Sequence, residues 1–156
     1  MISSKEALDN LLELSNKIQI KKTNKILSKT LDRTLASSLT SYNYQPSFSM
    51  SAMDGFAIKL SDNKIGTKLK MIGEAPAGLP FNGYLNKGQA IRIFTGAKIP
   101  EGAEAVVIQE NTTITGNYIS IKTQSAFETF IRAKGSDFKK GFVLNAPVKI
   151  SPRIQL

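Results

Sequence analysis

At 156 residues, 41% hydrophobic and 21% charged, the chain has the size and balance of one globular domain or two small ones. It contains neither cysteine nor histidine, which excludes disulfides, thiolate or imidazole metal sites and Ser-His or Cys-His nucleophiles within the chain. Oxygen, lysine, arginine and backbone groups remain for chemistry, with magnesium as the compatible kind of metal. The net charge of +9 attracts anions without choosing among nucleic acid, phosphorylated metabolites and inorganic oxyanions. No apolar run approaches the roughly 20 residues of a membrane span. The opening Met-Ile-Ser-Ser-Lys-Glu lacks the basic-then-apolar order of a secretory signal, so the expected location is the cytoplasm.

Ser3 and Glu6 have the spacing of a capping box, in which hydroxyl and carboxylate satisfy backbone N–H groups at a helix start. A helix is predicted to follow, with Leu8, Leu11 and Leu12 on one face, Leu14 at its margin, and Lys5, Asp9 and Glu13 outward. The recurrence of Leu31, Leu35 and Leu39 predicts a second helix within residues 30–39. The lysines between 21 and 29 read as solvated surface rather than a nucleic-acid arm, because no aromatic residues interleave them. Residues 42–50, rich in Tyr, Asn, Pro and Ser, mark a break in regular structure.

Short strands are predicted next, over residues 56–60, 68–72, 89–94, 105–109, 112–115 and 118–123, with Gly116-Asn117 as a hairpin turn. A further strand pair is expected between Gly141 and Ile150, interrupted by Asn145-Ala146-Pro147. The fold class is α+β: N-terminal helices followed by a β-rich domain of bent, coiled sheet or small barrel. The expected organisation is a helical segment over residues 1–42 packing with 139–156, and a β-rich domain over 43–138. Ser151–Leu156 reads as the start of a further element.

Three loops carry candidate chemistry. Asp54 lies where a loop enters a strand, and Gly55 beside it offers backbone freedom and close approach to a ligand; the plain alternative is an aspartate capping a turn. Thr95 follows the strand Ala90–Phe94 and offers a hydroxyl and N–H groups to an oxyanion, or else satisfies its own turn. Phe127, Phe130 and Ile131 lead into Arg132-Ala133-Lys134-Gly135-Ser136-Asp137. There Arg132 can fork onto an anion and Asp137 can orient a cation or donor, unless the loop is merely solvated. The loop Gly73–Gly78 lacks the Gly-Lys-Ser/Thr ending of a phosphate-cradling P-loop.

Taken together these segments resemble the molybdopterin molybdenumtransferase family, the bacterial MoeA proteins and the gephyrin E-domain. The resemblance rests on Ser-Ala-Met-Asp-Gly-Phe-Ala from Ser51, Gly-Glu-Ala-Pro-Ala-Gly from Gly73, Ile-Arg-Ile-Phe-Thr-Gly-Ala from Ile91, Pro-Glu-Gly-Ala-Glu-Ala-Val-Val from Pro100 and Ile-Arg-Ala-Lys-Gly-Ser-Asp from Ile131, in the family's order. It implies a transferase that inserts molybdate into adenylylated molybdopterin, releasing AMP, in molybdenum cofactor biosynthesis with Mg2+ assisting. It also implies Asp54, Thr95 and Asp137 as catalytic residues, Asp54 as the metal ligand, and Ser51, Gly55, Gly96, Arg132 and Lys134 as substrate-binding. Ser49 and Met50 stand where the family has Asp-Asn, Lys98 where proline is common, and Ser136 where an acid is usual.

Family members continue into a pterin-binding domain and a small β-domain that this sequence lacks, so the chain alone is expected to be inactive. The expected partners are the pterin-binding domain of the other subunit of a homodimer and the enzymes of the cofactor pathway. Neither nucleic acid nor membrane is expected. The alternative from the same resemblance is a non-catalytic protein-binding scaffold of the gephyrin E-domain type. A nucleic-acid-binding barrel would need stacked aromatics on one sheet face, and the strands show no such ladder.

Overall fold

In the computed structural model, which describes residues 2–19, 21–124 and 129–150, Ser3 accepts the Glu6 N–H at 3.2 Å and caps helix α1, Ser4–Asn16. The capped start matches the serine–glutamate spacing in the sequence, and Glu6 in the first turn complements the helix dipole. None of the helix is buried: Leu8, Leu11, Leu12 and Leu14 are 55–64% exposed.

The described residues fall into two compact units, one drawn from both ends of the chain, up to Leu39 and from Leu144, the other spanning Thr40–Val143. In the first unit, the helix predicted over residues 30–39 does not form. A single 3-10 turn occupies Leu27–Lys29, and Asp32 adopts a left-handed φ of 61° that interrupts helical geometry. The Asp32 and Leu35 N–H groups bond to the carbonyls of Ile150 and Val148, and the Ile150 N–H returns to Arg33. An extended ladder therefore satisfies the backbone that a helix would have satisfied internally, and the every-fourth leucines reflect no buried helical face.

That ladder also corrects the strand pair expected between Gly141 and Ile150. Its two parts do not pair with each other: residues 148–150 run against 32–35, and β10 (Val143–Leu144) pairs with β1 (Leu39–Thr40).

The second unit is built on a six-stranded sheet of β3 (Gly55–Ile58), β4 (Lys68–Ala75), β5 (Gln89–Ile93), β6 (Ala105–Ile108), β7 (Thr112–Thr115) and β8 (Tyr118–Ile121). The spatial order is β6-β3-β5-β4-β8-β7. All pairings are antiparallel except β4 with β5. Among the described residues β6 and β7 do not pair with each other, so the sheet is a curled half-barrel rather than a closed barrel. The six predicted strands all form. β3 ends two residues early, because Leu60 enters a 3-10 turn, Leu60–Asp62.

Both faces of the central strands are covered. Phe56 and Ile58 join Leu69, Ala90, Val107, Ile119 and Ile121 on one face, while Ala57, Ile91, Ile93 and Val106 join Leu85 and Ala97 on the other. The period-two alternation of the strands sorts these side chains, and fully burying each large one contributes about 1.5–3 kcal/mol.

A small second ladder lies beside this sheet. β2 (Met50–Ser51) pairs antiparallel with β9 (Ile131–Arg132). On its other side the Ser51 N–H reaches the Ala97 carbonyl at 2.9 Å, and the Gly96 N–H reaches the Ser51 carbonyl at 2.9 Å. Among the described residues no helix is long and apolar enough to cross a membrane.

Candidate functional site

The loop before β3 and the loop after β5 meet because those strands are neighbours, with Gly55 opposite Ile93. Asp54 and Thr95, one residue before Gly55 and two after Ile93, therefore face each other across 41 positions of sequence. Asp54 Oδ1 accepts both the Thr95 N–H and the Thr95 hydroxyl, each at 2.8 Å. These two bonds, and the charge of Arg92 to a smaller degree, hold the Asp54 carboxyl below the usual carboxylate range; its slight burial opposes them. Asp54 is ionised at neutral pH, and among the described residues no hydrogen bond reaches Oδ2.

Thr95 directs its hydrogen bonds to Asp54 in this structure. Both donors expected to hold an external oxyanion are engaged by Asp54, which makes Thr95 the group that orients the acid. Gly96 follows with φ of 82°, a left-handed turn that returns the chain to the β2 ladder.

Ser51 and Gly55, expected to bind substrate, are both buried. Ser51 is 1% exposed, and its hydroxyl donates to the Met53 carbonyl at 2.6 Å, shaping the turn that carries Asp54. Gly55 does not have positive φ; its lack of a side chain serves the β6 backbone, since a Cβ there would lie 2.0 Å from the Val107 carbonyl oxygen. A close approach at this glycine is made by the β6 backbone.

On the other flank of β2, Arg132 Nη2 donates to both carboxylate oxygens of Asp137, at 2.6 and 2.5 Å, with both side chains half-exposed. The loop is anchored by the Asp137 N–H on the Gln45 carbonyl and the Gly135 N–H on the Pro46 carbonyl, each at 2.9 Å. Gly135, with φ of 73°, is held under the Tyr44 ring, and the Lys134 ammonium sits 4.7 Å from the centre of that ring. Ser49 accepts the Lys134 N–H at 3.2 Å, and the Ser136 hydroxyl lies 3.4 Å from Asp137 Oδ1. Phe127, read with this loop, lies outside the described residues, as does Ser151–Leu156.

The structure therefore brings the candidates together as two pairs, Asp54 with Thr95 and Arg132 with Asp137. They flank one ladder in which Ser51 is bonded to the Thr95–Ala97 turn on one side and opposes Ile131 on the other. No side-chain hydrogen bond among the described residues joins the two pairs. Sequence reading passed over Arg92 and Gln109, although a cation between Ala90 and Phe94, on the face that its neighbours give to the core, was the available signal.

Among the described residues no three acidic, histidine or cysteine side chains are grouped to hold a metal. Asp54 Oδ2 fits the lesser requirement of magnesium, which keeps several waters and is commonly held by one or two carboxylates plus substrate phosphates.

Replacing Thr95 with valine removes one of the two bonds on Oδ1. The Asp54 pKa is expected to rise toward its ordinary value, read from the pH dependence of its side-chain carboxyl 13C resonance; an unmoved midpoint would contradict the assignment of cause. Because the folded pKa lies below the unfolded one, the stability from this pair is present in full above about pH 4 and is lost as pH falls through the lowered folded value.

A helix-led α+β chain, with an acid–hydroxyl pair and an arginine–acid pair on either side of a short ladder, defines the class. The sequence model of the MoeA N-terminal region (domain I and II) matches residues 2–155. The molybdopterin molybdenumtransferase of Haemophilus influenzae is 38% identical over 128 residues, covering 81% of this chain and 32% of that protein. Gephyrin of Dictyostelium discoideum is 34% identical over 162 residues, covering 93% and 22%. The crystal structure of the molybdopterin biosynthesis MoeA protein of Pyrococcus horikoshii superposes with a TM-score of 0.83 at 32% identity, covering 98% of this chain and 42% of that one. The chain belongs to the MoeA N-terminal region family, and spans about a third of the length of the first of these relatives.

Proposed function

We propose that this chain supplies the part of a molybdopterin molybdenumtransferase that lies outside the pterin-binding domain, serving insertion of molybdate into adenylylated molybdopterin with release of AMP. The observation that carries the reading is the ionised Asp54, fixed by Thr95 and presenting Oδ2, within a chain whose family is known from residues 2–155. Both reactants are anions, which a net charge of +9 attracts. Arg132 and Lys134 offer them cationic groups beside the ladder, while Asp137 holds the Arg132 fork in one orientation.

Asp54 Oδ2 would be this chain's contribution to a magnesium ion, and bound magnesium would neutralise charge on the reacting phosphate and oxyanion groups. The chain's own residues have a narrower task. Thr95 keeps Asp54 deprotonated and held by Oδ1, and the Ser51 and Gly96 backbone holds that loop against β9.

The test is molybdate-dependent AMP release from adenylylated molybdopterin by the protein made from its complete reading frame, in cytoplasmic extract or purified form. A folded protein that releases no AMP overturns the reading; the 156-residue chain alone is expected to release none.

The exposed stripe of α1 supports a homodimer as the working unit. Sedimentation of the chain should show concentration-dependent self-association that Leu11→Glu removes, and a strictly monomeric wild type would contradict it.

A further inference from the structure

β5 places a guanidinium where its alternation calls for an apolar side chain. The Arg92 guanidinium lies over the rings of both Phe56 and Phe94, 5.0 Å from the centre of each, and its Nη2 donates to Gln109 Oε1 at 2.6 Å. Nη1 is buried without a hydrogen-bond partner. Desolvating part of a guanidinium is unfavourable, and attraction to two ring faces offsets only part of it. A leucine or methionine would serve the core at this position with no such penalty, so the arginine does something that packing does not require.

Its three contacts lie on the segments that carry the Asp54–Thr95 pair. Phe56 is its cross-strand partner and stands two residues after Asp54. Phe94 immediately precedes Thr95. Gln109 opens the 3-10 turn after β6, and its backbone N–H donates to the Asp54 carbonyl at 3.1 Å. One rigid plane therefore touches the start of β3, the end of β5 and the turn after β6.

We infer that Arg92 is a positioning residue for Asp54: its plane packs on the rings of both Phe56 and Phe94, and its fork holds Gln109, whose backbone in turn fixes the Asp54 loop against Thr95. The inference rests on the reading of Asp54 and Thr95 as the working pair, and is independent of which reaction they serve. A lysine cannot substitute, because an ammonium has neither a plane to pack on both rings nor a fork to direct toward Gln109.

The test is amide hydrogen exchange by NMR on the 156-residue chain. Thr95 donates its N–H to Asp54, so loosening the pair exposes that amide. Arg92→Met and Arg92→Lys are both expected to speed Thr95 exchange by about tenfold or more, with the Ile119 and Ile121 amides unchanged. Gln109→Met, at an exposed side chain, should shift it in the same direction by less.

Wild-type Thr95 exchange in Arg92→Met overturns the inference, and full rescue by Arg92→Lys overturns the role given to the plane. If Arg92→Met does not fold, unchanged Thr95 exchange in Gln109→Met is the overturning result. Because exchange is read without substrate, failure here is distinct from failure of AMP release.

Discussion

Gly55→Ala is expected to destabilise the Thr40–Val143 unit by at least about 3 kcal/mol, the level at which overpacking forces backbone to move. The added Cβ would lie 2.0 Å from the Val107 carbonyl oxygen, 2.9 Å from its carbon and 3.0 Å from Ile108 Cα. All three atoms are backbone, so no side-chain rotation relieves the overlap. β6 must withdraw from β3 across a register that runs from Gly55–Ile108 to Ile58–Ala105. The same movement disturbs Asp54, whose carbonyl accepts the Gln109 N–H at the end of β6. Thermal unfolding should show a midpoint lowered by roughly 10 °C.

Gly66→Ala is the informative contrast. Its φ of 81° strains an alanine, but its Cβ would meet nothing within 4 Å, so a loss of only about 1–2 kcal/mol is expected. Because Gly55 has no positive φ to strain an alanine, equal losses at the two positions would overturn the claim that the approach of β6 sets the cost there.

The strands were legible because their apolar alternations and runs are separated by turns that carry glycine, proline or asparagine. β7, the hairpin turn and β8 follow from Thr112–Ile121 with no long-range information. The failed helix over residues 30–39 had the opposite character. Its leucine spacing was real, but the partners that decide its backbone, residues 148–150, lie more than 110 positions away. Local periodicity carries no record of such pairing.

The site divides the same way. Asp54 and Thr95 stood out as an acid and a hydroxyl beside glycines, yet their direct bond depends on β3 and β5 being adjacent, which no local pattern states. Gly55 was legible as a place of close approach and not as the place where β6 makes it. Arg92 was visible as a charge within a strand, but its meaning lay in Phe56 and Gln109, which only the sheet order brings to it.

Asp54→Asn is expected to leave the fold intact and to lower AMP release by the complete protein by about 10²-fold or more, the scale seen when one electrostatic contact to a transition state is removed. The carboxamide oxygen can still accept from the Thr95 N–H and hydroxyl, so the loop keeps its shape while the charge presented at Oδ2 disappears. Asp137→Asn removes a half-exposed partner of Arg132, an ion pair of a kind worth about 0–1 kcal/mol, and so its fold is also retained. Acid does to the wild type what the asparagine does permanently. Since Thr95 holds the Asp54 carboxyl low, the acid limb of the activity profile should fall below the ordinary carboxylate range and move upward in Thr95→Val. In Asp54→Asn that limb should vanish from whatever activity remains. If it persists there unchanged, another group titrates, and the charge at position 54 is not what the reaction uses.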